Sequence, residues 1–122
     1  MKTLTYTVRS IAIAAAFAGL VTAPFALASA SAAIGIVASN WKFTPSTIQL
    51  HVGQTATLRL TSSEGVHGLQ SDDLGIPMTT ITPGTVMNVE ITPKKAGKYV
   101  LHCAIMCGAG HPNMTLTVDV VP

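Results

Sequence analysis

Ile48-Gln49-Leu50-His51-Val52-Gly53-Gln54-Thr55-Ala56-Thr57-Leu58-Arg59-Leu60-Thr61 is the stretch that decides the fold. Ile48, Leu50 and Val52 alternate with Gln49 and His51. A Gly53-Gln54 turn follows, and Ala56, Leu58 and Leu60 then alternate with Thr57, Arg59 and Thr61. Successive strand side chains point to opposite faces, so this alternation marks strands with one face in a core and one in solvent. The pattern returns downstream: Met87, Val89 and Ile91 precede Pro93-Lys94-Lys95-Ala96-Gly97, Tyr99, Leu101 and Cys103 share a face, and so do Met114, Leu116, Val118 and Val120. Short runs punctuated by Gly and Pro predict an all-β domain, a Greek-key β-sandwich or barrel. Residues 40–45 and 75–84, with Pro45, Pro77 and Pro83, read as the longest connections. No helix emerges in this part of the chain.

Upstream the texture changes. Residues 1–32 carry Lys2 and Arg9, then an apolar stretch from Ile11 to Leu20, then Ala26-Leu27-Ala28-Ser29-Ala30-Ser31-Ala32. A basic start, an apolar middle and small residues at alternating positions are the pattern of a secretory signal peptide, cut after Ala28, Ala30 or Ala32. An uncleaved anchor is the competing reading, because the apolar stretch has about the minimum length for a span. Pro24 and the repeated Ala-x-Ala favour cleavage. The expected organisation is a leader over 1–32 and a working domain over 33–122, periplasmic or secreted, with no stable membrane span after cleavage.

At 122 residues, with seven Lys/Arg and five Asp/Glu, the chain is one domain of low charge. Lys2 and Arg9 account for the whole basic excess, so the working domain is close to neutral. A nucleic-acid partner would need a dense basic patch, and none is present. So small a domain has a small core, which a metal or disulfide often supports.

The chemistry is concentrated in Cys103-Ala104-Ile105-Met106-Cys107-Gly108-Ala109-Gly110-His111-Pro112-Asn113-Met114, between two predicted strands. Two thiols, an imidazole and a thioether form a soft to borderline donor set that selects copper over oxygen-seeking cations. Zinc sites use Cys, His and carboxylate, so the thioether discriminates. A Cys103–Cys107 disulfide is an alternative in an oxidising compartment, but it leaves His111 and Met114 unexplained. Met114 is also in phase with the core residues Leu116 and Val118. A second imidazole comes from His67, in Glu64-Gly65-Val66-His67-Gly68 at a strand end. His51 lies on an outward strand face, and His102, next to Cys103, points the other way.

Cys-x3-Cys-x3-His-x2-Met with an upstream Val66-His67-Gly68 resembles the binuclear CuA domain of cytochrome c oxidase subunit II, and is similar to that of nitrous-oxide reductase. Phe43-Thr44-Pro45, Glu64-Gly65-Val66-His67, Thr82-Pro83-Gly84, Ala96-Gly97-Lys98-Tyr99 and Cys107-Gly108-Ala109-Gly110-His111 extend the resemblance over nearly all of the working domain. It implies a cupredoxin fold. It also implies that Cys103 and Cys107 bridge two copper ions, with His67 and Met114 completing one. His111 and the Ile105 carbonyl would complete the other. Ile105 departs from the Glu usual in the oxidase type. The acidic surface is thin as well, with Glu64, Asp72 and Asp73 the candidates near the site. Of the aromatics that resemblance leads one to seek, Trp41 and Phe43 remain, in phase with each other as core residues would be.

With every expected coordination position filled by protein, and no acid–base pair or activated nucleophile elsewhere, the sequence reads as a non-enzyme. The first expectation is one-electron transfer at a CuA-like site, exchanging with a partner such as a c-type cytochrome. Copper delivery or tolerance, with a copper donor or acceptor protein as partner, is the second. A mononuclear blue-type site using His67, Cys107, His111 and Met114 is the third.

Overall fold

The computed structural model describes residues 19–25 and 31–122. Most of the expected leader therefore lies outside the described residues, and residues 19–25 carry no regular secondary structure. The rest is strand and turn: β1 (Ala32–Ser39), β2 (Lys42–Thr44), β3 (Thr47–His51), β4 (Ala56–Ser62), β5 (His67–Ser71), β6 (Ile76–Ile81), β7 (Met87–Ile91), β8 (Gly97–His102) and β9 (Thr115–Val121), with one 3-10 turn at His111–Asn113. Among the described residues no helix is long and apolar enough to cross a membrane.

One sheet has the order β2-β1-β4-β7, a second β3-β9-β8, and β5 pairs with β6. β1 runs parallel to β4 and β3 parallel to β9; the other pairs are antiparallel. The expected alternation places the core. Ile48 and Leu50 of β3, Ala56, Leu58 and Leu60 of β4, and Leu116, Val118 and Val120 of β9 are buried in one cluster, while Gln49, His51 and Arg59 face out. Removal of this apolar surface from water is the main drive for the two sheets to close on each other. Gly53, with a φ of 76°, makes the turn that lets β3 hand over to β4.

Three expectations are corrected. Residues 40–45 and 75–84 are not mere connections, because they contain β2 and β6. β2 is too short to show a period. In β6, Ile76, Thr79 and Ile81 are inward, because an irregularity opposite Leu69–Ser71 shifts the phase partway along the pair. Met87 has the phase of Val89 and Ile91 yet is 36% exposed, since it begins an edge strand and lines an outer groove.

One end of the sheets gathers the chemistry. Ser39 ends β1, Ser62 ends β4, His67 starts β5, His102 ends β8 and Thr115 starts β9. Backbone bonds tie these ends together: Ser63 N–H donates to Ala38, Ala104 N–H to Gly68 and Cys103 N–H to Met114, all at about 3 Å.

Candidate metal centre

Two rigid supports carry the cluster. Cys103 directly follows β8 and Met114 directly precedes β9, and the Cys103 N–H to Met114 carbonyl bond of 3.0 Å extends the pairing of those strands one step beyond His102 and Thr115. Alternation therefore turns both sulfurs inward, with Cys103 3% exposed and Met114 fully buried. The segment between them folds back over this end. His111 begins the 3-10 turn, Pro112 follows it, and the Met114 N–H returns to the His111 carbonyl at 3.2 Å.

His67 comes from the opposite side, fully buried at the start of β5. Its Nε2–H donates to the Glu64 carbonyl at 2.8 Å, which leaves Nδ1 bearing the lone pair, 4.0 Å from Cys103 Sγ. The Glu64–Gly65 turn is itself held by buried Ser62, whose hydroxyl donates to Gly65 at 2.6 Å and Glu64 at 3.1 Å. Gly65 has a φ of 74°, and a Cβ there would lie 2.8 Å from Asn40 Oδ1 and 3.1 Å from His67 Nε2. Only glycine fits that turn.

The donor atoms converge. One nitrogen of His67 and the sulfurs of Cys103 and Cys107 all lie within 4.8 Å of one another. Cys107 Sγ is 3.6 Å from His111 Nδ1 and 3.7 Å from Met114 Sδ, and Cys103 S–H points to the Ile105 carbonyl at 3.2 Å. All six expected groups thus meet at one end of the sheets. His51, exposed on β3, and His102, exposed on β8, stay outside, as expected. His67 and the Ile105 carbonyl thus lie against Cys103, and His111 and Met114 against Cys107; sulfur and imidazole donors so gathered fit a copper ion by their softness. Without a metal the Cys107 thiol resists ionisation: burial first, then the hydrogen bond and charge of Cys103, push it from 9.0 up to about 11. A cation among the sulfurs supplies the charge that their ionisation needs.

Phe43 is buried in the core as its phase predicts. Trp41 is not. It stands in the turn between β1 and β2, where strand alternation does not apply, and is 41% exposed. Its ring lies on the loop: a Cβ at Gly108 would be 2.9 Å from Trp41 Nε1, and one at Gly110 would press still closer on Trp41 Cγ. The Trp41 Nε1–H donates to the Cys107 carbonyl at 2.9 Å. Ile105, in place of Glu, packs on Gly68, where a Cβ would be 2.7 Å from Ile105 Cγ1. Asp72 and Asp73 are not near the site; Asp73 shares a recess with Gly97, Lys98 and Tyr99 at the start of β8, the other end of the sheet. Ser62 and the Glu64 carbonyl were not foreseen as supports, because a hydroxyl donor and a backbone acceptor carry no residue-type signature.

Comparison with known proteins places these features in a family. The model of the cupredoxin-like domain matches residues 10–118. Cytochrome c oxidase subunit 2 of Thermus thermophilus is 31% identical over 85 residues, which cover 70% of this chain and 62% of that protein. The chain thus spans less than two thirds of that relative. The periplasmic domain of subunit II of cytochrome oxidase from Bradyrhizobium japonicum superposes with a TM-score of 0.68 at 16% identity, over 77% of this chain and 86% of that domain. Auracyanin A, a blue copper protein of Chloroflexus aurantiacus, superposes with a TM-score of 0.58 at 14% identity, over 75% of this chain and all of that one. At those identities the two superpositions show a shared fold.

Proposed function

This chain belongs to the cupredoxin-like domain family, and on that premise we propose that it is an exported copper protein with a binuclear, CuA-type site used for one-electron transfer. The observation that carries the binuclear reading is the position of Cys103. In a mononuclear site built on Cys107, His111 and Met114, that thiol would be spare. Instead it is buried between His67 Nδ1 and the Ile105 carbonyl, with its own set of donors. Cys103 and Cys107 would hold both ions through their thiolates, His67 and Met114 would serve one ion, and His111 with the Ile105 carbonyl would serve the other.

Two ions sharing both thiolates would exchange one electron with a small change of charge at each. The chain's own residues keep that exchange easy. Glu64 fixes the tautomer and ring plane of His67, as outer partners of metal-bound imidazoles do. The continued β8–β9 pairing fixes both Cys103 and Met114. Trp41 fixes the Cys107 carbonyl and covers the loop on the solvent side. With every donor supplied by protein, no coordination position is left for a substrate, which supports electron transfer over catalysis.

In this reading the export signal lies within residues 1–32. β1 is paired from Ala32, opposite Ala56, so a cut after Ala28 or Ala30 leaves that strand whole. The partner is a c-type cytochrome or another one-electron redox protein of the same compartment, and the fold is the Greek-key sandwich of the cupredoxins.

Copper counting with electron paramagnetic resonance tests the reading. Two coppers per chain, with hyperfine splitting from two equivalent nuclei, are expected. One copper with single-nucleus splitting would replace it with the blue-type site. Retention only of spectroscopically silent Cu(I), readily lost to a chelator, would replace it with delivery.

A further inference from the structure

Methionine in a small domain normally fills gaps in the core, and Met114 does so. Met78 and Met87 do not. They are 51% and 36% exposed, and both line one groove of about 640 Å3 between β6 and β7. β6 pairs with β5 and β7 with β4, so the groove separates two strands of different sheets. Each wall contributes one thioether.

The rest of the lining decides what such a pair would hold. Thr80, Thr82 and Asn88 are neutral, and Glu90 is the one charged group. A hard divalent ion takes six or more oxygen ligands, several of them carboxylates, and this groove has one carboxylate. A soft monovalent ion finds two thioethers, which select Cu(I), beside a single compensating negative charge. Each Met side chain has three rotatable bonds, so each sulfur can turn towards the groove without moving its strand.

We propose that Met78 and Met87 form a second, surface site for Cu(I), separate from the cysteine cluster and independent of how many coppers that cluster holds. Copper binds there and leaves as Cu(I), with no change of oxidation state. Free methionine, a lone thioether, serves as the reference, because Met106 stands between Ile105 and Cys107 and would answer to the cysteine cluster.

The test is a titration of the full chain, carrying 13C-methyl methionine, with Ag(I) as a redox-inert stand-in for Cu(I). It is run on the wild type and on Cys103→Ser/Cys107→Ser, where no thiol competes. The expected result is that the Met78 and Met87 methyl resonances move together, with one midpoint below that of free methionine. Met78→Leu, a change at an exposed site, should then weaken the Met87 response about tenfold, the loss of an intramolecular second ligand. An unchanged Met87 midpoint in Met78→Leu overturns the proposal, as does a response no tighter than that of free methionine. So does an equal response to Zn(II). Because the readout is the groove itself, failure here leaves the reading of the cysteine cluster untouched, and the converse also holds.

Discussion

The indole N–H of Trp41 donates to the carbonyl of Cys107 at 2.9 Å, between residues 66 positions apart. The contact joins the turn after β1 to the loop that carries a candidate copper ligand. It makes an aromatic side chain on the surface part of the support of a thiolate. The ring reaches the loop only because positions 108 and 110 are glycine.

Trp41→Phe keeps a ring over the glycines and removes the donor. A cost of about 1 kcal/mol is expected from one lost hydrogen bond, read as a lower melting temperature and faster copper loss to a chelator. Gly110→Ala forces a Cβ into the ring and should cost about 1–3 kcal/mol, as overpacking does. Combined with Trp41→Ala, most of the Gly110→Ala penalty should disappear, because the clash has lost its partner. Strict additivity in that double-mutant cycle would show that the ring does not hold the loop.

Gly65→Ala attacks the support of His67 from behind. At a φ of 74° and with Asn40 Oδ1 2.8 Å from the new Cβ, the turn must shift and carry the Glu64 carbonyl off Nε2. Loss of such an outer partner typically costs about 10–100-fold in metal affinity. Copper competition titrations should show that loss, with the two thiols still present.

Cys103→Ser separates the copper readings. A binuclear site should fall from two coppers to at most one and lose its two-nucleus hyperfine pattern. A blue-type site would keep both its copper and its colour, which would decide against bridging thiolates.

Protonation of the metal-free site gives a pH prediction. The folded-state value of Cys107, about 11, lies above the ordinary 9.0. The folded chain therefore holds a proton where the unfolded chain has lost it, and the stability this contributes is complete below pH 9 and disappears between 9 and 11. Denaturation of the metal-free protein should show stability falling across that window. At about pH 8 the thiolate fraction, and with it alkylation of Cys107, should be roughly a hundredfold below that of a free thiol at 9.0. An alkylation rate equal to that of free cysteine would contradict the assignment.

The alternation from Ile48 to Thr61 was enough to read β3, β4 and their turn, because both strands lie between a core and solvent and each position answers to one face. β6 was hidden by the same logic, since an irregular pairing moves Ile76, Thr79 and Ile81 off a strict period of two. Cys103, Cys107, His111 and Met114 stood out because sulfur and imidazole at short spacing have few other uses, whereas His67 had to be chosen among the histidines and the Ile105 carbonyl entered only through the family resemblance. Their supports did not stand out: Ser62, the Glu64 carbonyl and the Trp41 indole act through bonds to backbone whose partners depend on tertiary placement. Trp41 misled because residues 41 and 43 share a phase only if both belong to one strand, and β2 begins at Lys42.

β1 lies parallel to β4, with Ala32 beside Ala56 and Ala38 beside Ser62. Seven residues of strand separate these levels by about 20 Å, and Ser62 belongs to the end that holds His67. Whatever is joined to the chain ahead of Ala32 is therefore attached at the foot of the domain, with the sulfur cluster at its head. A released domain and one moored by its N-terminus would offer a redox partner the same approach, and a mooring would point that head away from the surface to which it is fixed.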